Sequence, residues 1–299
     1  MIEFETAQRV LEIGGVRVGG QPGELPTVLI GSIFHRGHRI VHDAKRGIFD
    51  RKRAERLIRV QEEMSLKTGN PHMLDVVGET AEALTRYIDF VSEVTECPFL
   101  VNGTSAAVRV SAARHAVETG LEDRAIYNSI NYTFGEWESE ALRETGLKTA
   151  LVQAFNPRDP RPRGMVTMLR RLLEEAERLG VENLLALTPV LDVPSIGFGV
   201  RGVYLVKEEF GVPTGTVPVG VVGRWRKIEE FGGDAKKVCR AGALALAQAM
   251  GADFLIYGSV AKARDVFPVC AMVDAVIAYN AKSMGIKPLT KNHPLYRVL

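Results

Sequence analysis

Eight short apolar runs recur along the chain, and each is followed by a stretch whose apolar residues return at helical spacing. The runs predict strands at 27–34, 72–77, 99–101, 125–127, 149–154, 184–187, 212–217 and 254–257, the seventh having the weakest apolar signal. Helices are expected between them, at about 50–66, 80–95, 105–119, 135–145, 165–179, 195–210, 235–250 and 260–284. Runs such as Leu184-Leu185-Ala186-Leu187 show no polar alternation, which is the pattern of parallel strands covered on both faces. This succession predicts an α/β fold, a closed (β/α)8 TIM barrel in which residues 1–299 form one domain. An open doubly wound sheet is the alternative, but no Gly-x-Gly-x-x-Gly opens a helix after the first strand. Ahead of the repeats, Ile13–Gly20 reads as a β-hairpin, with a turn at Gln21-Pro22-Gly23.

The hydrophobic share of 46% is enough for a large core, and the near balance of 38 basic and 36 acidic residues offers nothing to nucleic acid or a membrane surface. Cys97, Cys239 and Cys270 are odd in number, far apart and without a Cys-x-x-Cys pair, which argues for a reducing compartment rather than a disulfide framework. The acidic start and the lack of a membrane-length apolar run lead us to expect a cytoplasmic chain.

In a barrel, chemistry collects at the carboxyl ends of the strands. That rule selects His35 and Arg36, Asp75 and Glu79, Asn102 through Ser105, Asn128 with Asn131, Gln153 and Asn156, Asp192, and Ser259. Neutral amides donate and accept at once, which suits a heterocycle with alternating donors and acceptors. Asn102 and Ser105 also fit a helix cap. Asp75, inside an apolar strand, must be paired or near neutral. His35, His38 and His42 lack a carboxylate at metal-motif distance and read as a solvated loop, so no metal site is expected. No Gly-x-Ser-x-Gly elbow or phosphate loop is present.

The segments Gly19-Gly20-Gln21-Pro22-Gly23-Glu24, Lys45-Arg46-Gly47-Ile48-Phe49-Asp50, Thr68-Gly69-Asn70-Pro71, Tyr87-Ile88-Asp89-Phe90-Val91 and Ile126-Tyr127-Asn128-Ser129-Ile130-Asn131 together resemble the H subunit of the tetrahydromethanopterin S-methyltransferase complex, over essentially the whole length. The resemblance implies a pterin-binding barrel. It would move the N5-methyl group of methyl-tetrahydromethanopterin, or of methyl-tetrahydrofolate as in related enzymes, to the cobalt(I) of a corrinoid on a partner protein. It also implies other subunits of a membrane-associated complex, to which a cytoplasmic chain without its own anchor would be peripheral; homodimers are common among such barrels. Asn128 falls on the family's strand-four asparagine and would stand beside N5, with Asp75, Asn102, Ser105, Asn131 and Asp192 framing the ring.

Three positions depart from the family pattern. Asn102 stands where the family has Asp, Leu184 or Leu185 replaces the strand-six Asp, and the strand-seven Asn is lost near Gly220. Such changes would retune the grip on the ring, or mark a paralogue with another methyl donor, or leave a binding or scaffold subunit without catalysis. Phe134, Trp137, Phe198 and Trp225 are candidates for an apolar rim facing a corrinoid protein.

Overall fold

A computed structural model of the chain describes residues 2–298. Two short strands, β1 (Val10–Ile13) and β2 (Val16–Gly19), form the expected antiparallel hairpin. Its two-residue turn is Gly14-Gly15, with φ of +49° and +78°, the backbone that a tight hairpin requires and glycine adopts without strain.

The barrel follows. Its strands are β3 (Val28–Ile33), β6 (His72–Gly78), β7 (Phe99–Gly103), β8 (Ala125–Ile130), β9 (Thr149–Gln153), β10 (Asn183–Thr188), β11 (Thr214–Thr216) and β12 (Phe254–Ser259). They close in that order, each parallel to its neighbours, as the repeats predict. Between β3 and β6 lie a small hairpin, β4 (Val41–Asp43) with β5 (Ile48–Phe49), and helix α1 (Arg51–Thr68). The outer layer continues with α2 (Ala81–Val94), α3 (Ala106–Glu118), α4 (Glu136–Thr145), α5 (Pro162–Arg178), α6 (Ile196–Phe210), α7 (Val219–Arg224), α8 (Ala235–Ala249) and α9 (Ala263–Ala281).

Inward-facing residues of the barrel form one cluster: Val28, Ile30, Met73, Leu100, Ile126, Leu151, Leu185, Leu187, Phe254 and Ile256. Ile13 and Val18 of the hairpin join it and are almost wholly buried, so the hairpin stoppers the amino-terminal end. A buried ion pair secures that end. Lys207 Nζ donates to Asp253 Oδ1 and to the Gly20 carbonyl, while Asp253 Oδ2 accepts from the Thr214 amide.

The structure corrects several details. The His35–His42 segment is not a solvated loop throughout: His38 is buried, its Nδ1 accepts from the Phe34 amide, and burial beside His35 lowers its pKa to about 4. The β4–β5 hairpin is not foreseen by the sequence, because its strands are too short and polar to show a period. The seventh strand has only three residues, Thr-Gly-Thr, of which Gly215 is obligatory because a Cβ there would fall 2.3 Å from the Phe254 carbonyl. Gly220 lies in α7, beyond that strand rather than at its end. Phe134 is buried in the outer core and is no rim residue, whereas Trp137 and Phe198 are exposed and Trp225 is half-buried.

Candidate active site

The inward-facing register changes character as it nears the carboxyl ends. On β3, Val28 and Ile30 give way to Ser32; on β6, Met73 to Asp75; on β7, Leu100 to Asn102; on β8, Ile126 to Asn128; on β9, Leu151 to Gln153. Strand pairing sets Ser32 against Asp75 and Asn102 against Asn128. Alternation of side chains along each strand does the rest, so an apolar floor carries a polar layer.

Asp75 is the hub of that layer. Its carboxylate is only 4% exposed and accepts three side-chain hydrogen bonds: from Ser32 Oγ at 2.7 Å, Asn102 Nδ2 at 2.8 Å and Asn128 Nδ2 at 3.3 Å. Burial raises its pKa; the three donors, with the nearby His35, pull the other way. Both amides therefore spend their NH2 on one carboxylate oxygen, Oδ1, which fixes which way each amide points. No hydrogen bond among the described residues engages the Oδ1 of Asn102, the Oδ1 of Asn128 or the amide of Gln153. These half-buried polar atoms are the free hydrogen-bonding groups of the layer.

Ser32 belongs to the cluster although the strand-end rule does not select it; a serine two places beyond inward-facing Ile30 is the signal that finds it. His35, which the rule does select, lies beside the cluster. It is carried by Phe34, whose φ of +62° is unusual for an aromatic residue. Phe34 is held there by stacking on Tyr87 at 4.1 Å and by edge contacts with Phe49 and Phe90. His35 stacks on His38, hydrogen-bonds the Arg36 carbonyl through Nδ1, and keeps Nε2 buried and unpartnered.

The other expected residues are committed to their own loops. Ser105 caps α3 through the Val108 amide. Asn131 accepts from the Thr133 amide and hydroxyl and donates to the Ser129 carbonyl. Asp192 accepts from the Ser195 amide on the exposed loop before α6, and Asn156 likewise shapes the loop before α5. Behind Asn128, the hydroxyl of Tyr127 and the guanidinium of Arg109 both donate to Glu138 Oε1, and Arg109 also reaches the Gly103 carbonyl beside Asn102. This buried triad ties the third and fourth barrel strands to α3 and α4 where the two asparagines are presented. Among the described residues no group of His, Cys, Asp and Glu has metal-binding geometry.

At the carboxyl mouth of the barrel, a buried carboxylate flanked by oriented amides can offer acceptors and donors to a hydrogen-bonding partner. The fold matches dihydropteroate synthases, among them the Coxiella burnetii enzyme solved with pteroic acid (TM-score 0.61, 15% identity, 89% of this chain and 99% of that one). The Xanthomonas albilineans enzyme matches with a TM-score of 0.57 at 19% identity, over 90% of this chain and all of that one. Identity at that level establishes the fold alone. Full-length sequence relatives include the H subunit of tetrahydromethanopterin S-methyltransferase from Methanothermobacter thermautotrophicus, 42% identical over 100% of both chains. Another is the H subunit of the putative methyltransferase mtx from Methanosarcina acetivorans, 40% identical over 99% of both. The sequence model of the family described as tetrahydromethanopterin S-methyltransferase MtrH subunit matches residues 6–289, and the chain belongs to that family.

Proposed function

We propose that the Asp75 cluster binds the ring of methyl-tetrahydromethanopterin and that the chain passes its N5-methyl group to the cobalt(I) of a corrinoid held by a partner protein. The observation that carries this reading is the convergence of Asn102 and Asn128 on one buried carboxylate at the barrel mouth. Family membership makes the chain a methyltransferase subunit. No helix among the described residues is long and apolar enough to cross a membrane.

The residues divide the work by their chemistry. Asp75 and the Asn102 amide hold the ring edge, the carboxylate accepting one ring N–H at the site on Oδ2 that Ser32 leaves free and the amide oxygen accepting another. Asn128, its NH2 pinned to Asp75, offers Oδ1 to a protonated N5. The N–C bond breaks with its electron pair remaining on nitrogen, so an N5 that carries a proton leaves as a neutral amine. The corrinoid supplies the electron pair that takes the methyl group. An oriented acceptor beside N5 favours the protonated form that can react, and it needs no reorganisation to do so. Ser105, Asn131 and Asp192 frame the ring by shaping the loops that carry them.

Substitution tests the assignment. Asn128→Ala should weaken transfer by about 10- to 100-fold, the worth of one hydrogen bond to a charged group. Unchanged binding and transfer would sink it. A second reading, a paralogue with another methyl donor, draws on the near-equal similarity to relatives named only as putative methyltransferases. A panel of methyl-tetrahydropterin and other methyl donors separates the two.

A further inference from the structure

Two cations stand near the loops after the seventh and eighth barrel strands. Lys262, four residues beyond Gly258 at the end of β12, is half-buried. Arg240 on α8 is also half-buried. Neither makes an ion pair or a side-chain hydrogen bond among the described residues, although most other part-buried cations of this chain do. Arg240 goes further: its Nε–H is fully buried and has no acceptor among the described residues. A buried guanidinium N–H without a partner carries a desolvation cost that proteins rarely leave uncompensated.

The two groups sit on packed elements: α8, which carries Arg240, packs against α9, and Lys262 immediately precedes α9. The charge of Arg240 acts on Lys262, and together with burial it holds the ammonium below its ordinary pKa. Both cationic ends lie against glycine backbone: a Cβ at Gly258 would stand 3.2 Å from Lys262 Nζ, and one at Gly223 would stand 3.2 Å from Arg240 Nη2. Gly258, at φ +77°, is in the left-handed region, so the close approach and the backbone both call for glycine there. Like charges drawn together, partly desolvated and uncompensated, are stable only at a cost that an anion would relieve.

The position adds the address. Gly258-Ser259 ends β12, and Ser259 pairs in register with Ser32, which donates to Asp75. The two cations thus stand at the carboxyl face of the same barrel, between the loops after strands seven and eight, where barrels of this type commonly hold phosphate.

We propose that Lys262 and Arg240 form an oxyanion subsite that takes a phosphate or carboxylate group, and that this group belongs to the small molecule seated over Asp75. The first part stands independently of the pterin reading; the second rests on it. Recognition is by charge and by the fork of guanidinium donors, so Arg240 confers geometry and Lys262 acts as a point charge.

The test uses the whole chain and three probes. Inorganic phosphate, titrated at constant ionic strength set with chloride, should raise the melting temperature of the wild type and leave the Lys262→Met/Arg240→Gln double variant unmoved. The double variant itself should melt no lower than the wild type, because it loses a repulsion and no bond. Methyl-tetrahydromethanopterin, which bears an acidic tail, should then bind the double variant about tenfold or more weakly. A tail-less N5-methyl-tetrahydropterin should bind wild type and variant alike. Loss of both pterins in the wild type would refute the ring assignment while leaving the phosphate result to judge the subsite. A phosphate response of equal size in wild type and double variant overturns the subsite. A phosphate response specific to the wild type, with tailed-pterin affinity unchanged in the variant, overturns the claim that the substrate supplies the anion and assigns the site to free phosphate.

Discussion

Asp75→Asn separates what the hub does for the fold from what it does for a ligand. In the wild type, Asn102 and Asn128 both donate to Oδ1, and Ser32 donates to Oδ2. An asparagine in the same pose keeps Oδ1 for the two amides and places its NH2 where Oδ2 was. Ser32, whose hydroxyl donates or accepts, turns to accept from it. All three hydrogen bonds survive in neutral form, each falling from about 1.5–3 kcal/mol to about 0.5–1.5 kcal/mol. Against that loss, folding no longer desolvates a carboxylate that is 4% exposed and has no cation hydrogen-bonded to it among the described residues. The two changes oppose each other, so stability should move by less than about 1–2 kcal/mol in denaturant unfolding. Ligand binding should move much more. A ring N–H that donates to the carboxylate loses a charge-assisted bond, and the dissociation constant should rise about 10- to 100-fold in calorimetric titration. The pH dependence follows from the raised pKa of Asp75. As pH falls through that raised value, a proton occupies the carboxylate and wild-type affinity should decline, whereas the asparagine variant should titrate flat. A stable Asp75→Asn chain that binds the methyl-pterin as tightly as the wild type, with the same pH profile, refutes the role given to the hub.

Two further outcomes concern the scaffold. Asp274 accepts from the amide and hydroxyl of Thr27, from Asn70 and from Gln248, yet burial raises its pKa from 3.8 to about 6. The folded state then holds this proton more tightly than the unfolded one. Its contribution is complete below about pH 4 and is lost as pH rises to about 6, an effect on the order of 3 kcal/mol that Asp274→Asn should flatten in pH-resolved denaturant unfolding. Glu138→Ala should cost about 3–5 kcal/mol in the same measurement, because it strands a buried guanidinium, whereas Tyr127→Phe should cost about 1–2 kcal/mol, because Arg109 still pairs with Glu138.

The barrel is legible in the sequence because its signal is carried by many residues at once. Uniformly apolar strands covered on both faces are the mark of a parallel sheet, and seven crossovers of this length carry eight strands round into a closed barrel. What escapes is what few residues carry. The seventh strand holds three residues and one is glycine; β4 and β5 hold five between them and no period. The short helix α7 begins just after the seventh strand, so the stretch around Gly220 invites comparison with a strand end when it is helical. His38 reads as exposed because a polar loop gives no sign that an aromatic stack, Phe34 on Tyr87, draws its root inward.

The site is legible in its parts and not in its assembly, and the reason is register. Asp75, Asn102 and Asn128 are each visible as a polar residue closing an apolar run, but nothing along the chain says that all three meet. That depends on Asp75 lying level with Ser32 while Asn102 lies level with Asn128, a stagger between neighbouring strands that only the closed barrel fixes. The same logic says what an aspartate at position 102 would do. An aspartate there would set a second carboxylate against Asp75, where the asparagine instead donates to it at 2.8 Å. Two carboxylates at that distance cannot both ionise, so one would have to hold a proton. With asparagine, the chain meets the geometry without a shared proton. Asn102→Asp should therefore convert the cluster into a proton-sharing pair, seen as a second titration in the pH profile of pterin binding that the wild type lacks. A single unchanged titration in that variant would mean that the side chain at position 102 does not face Asp75.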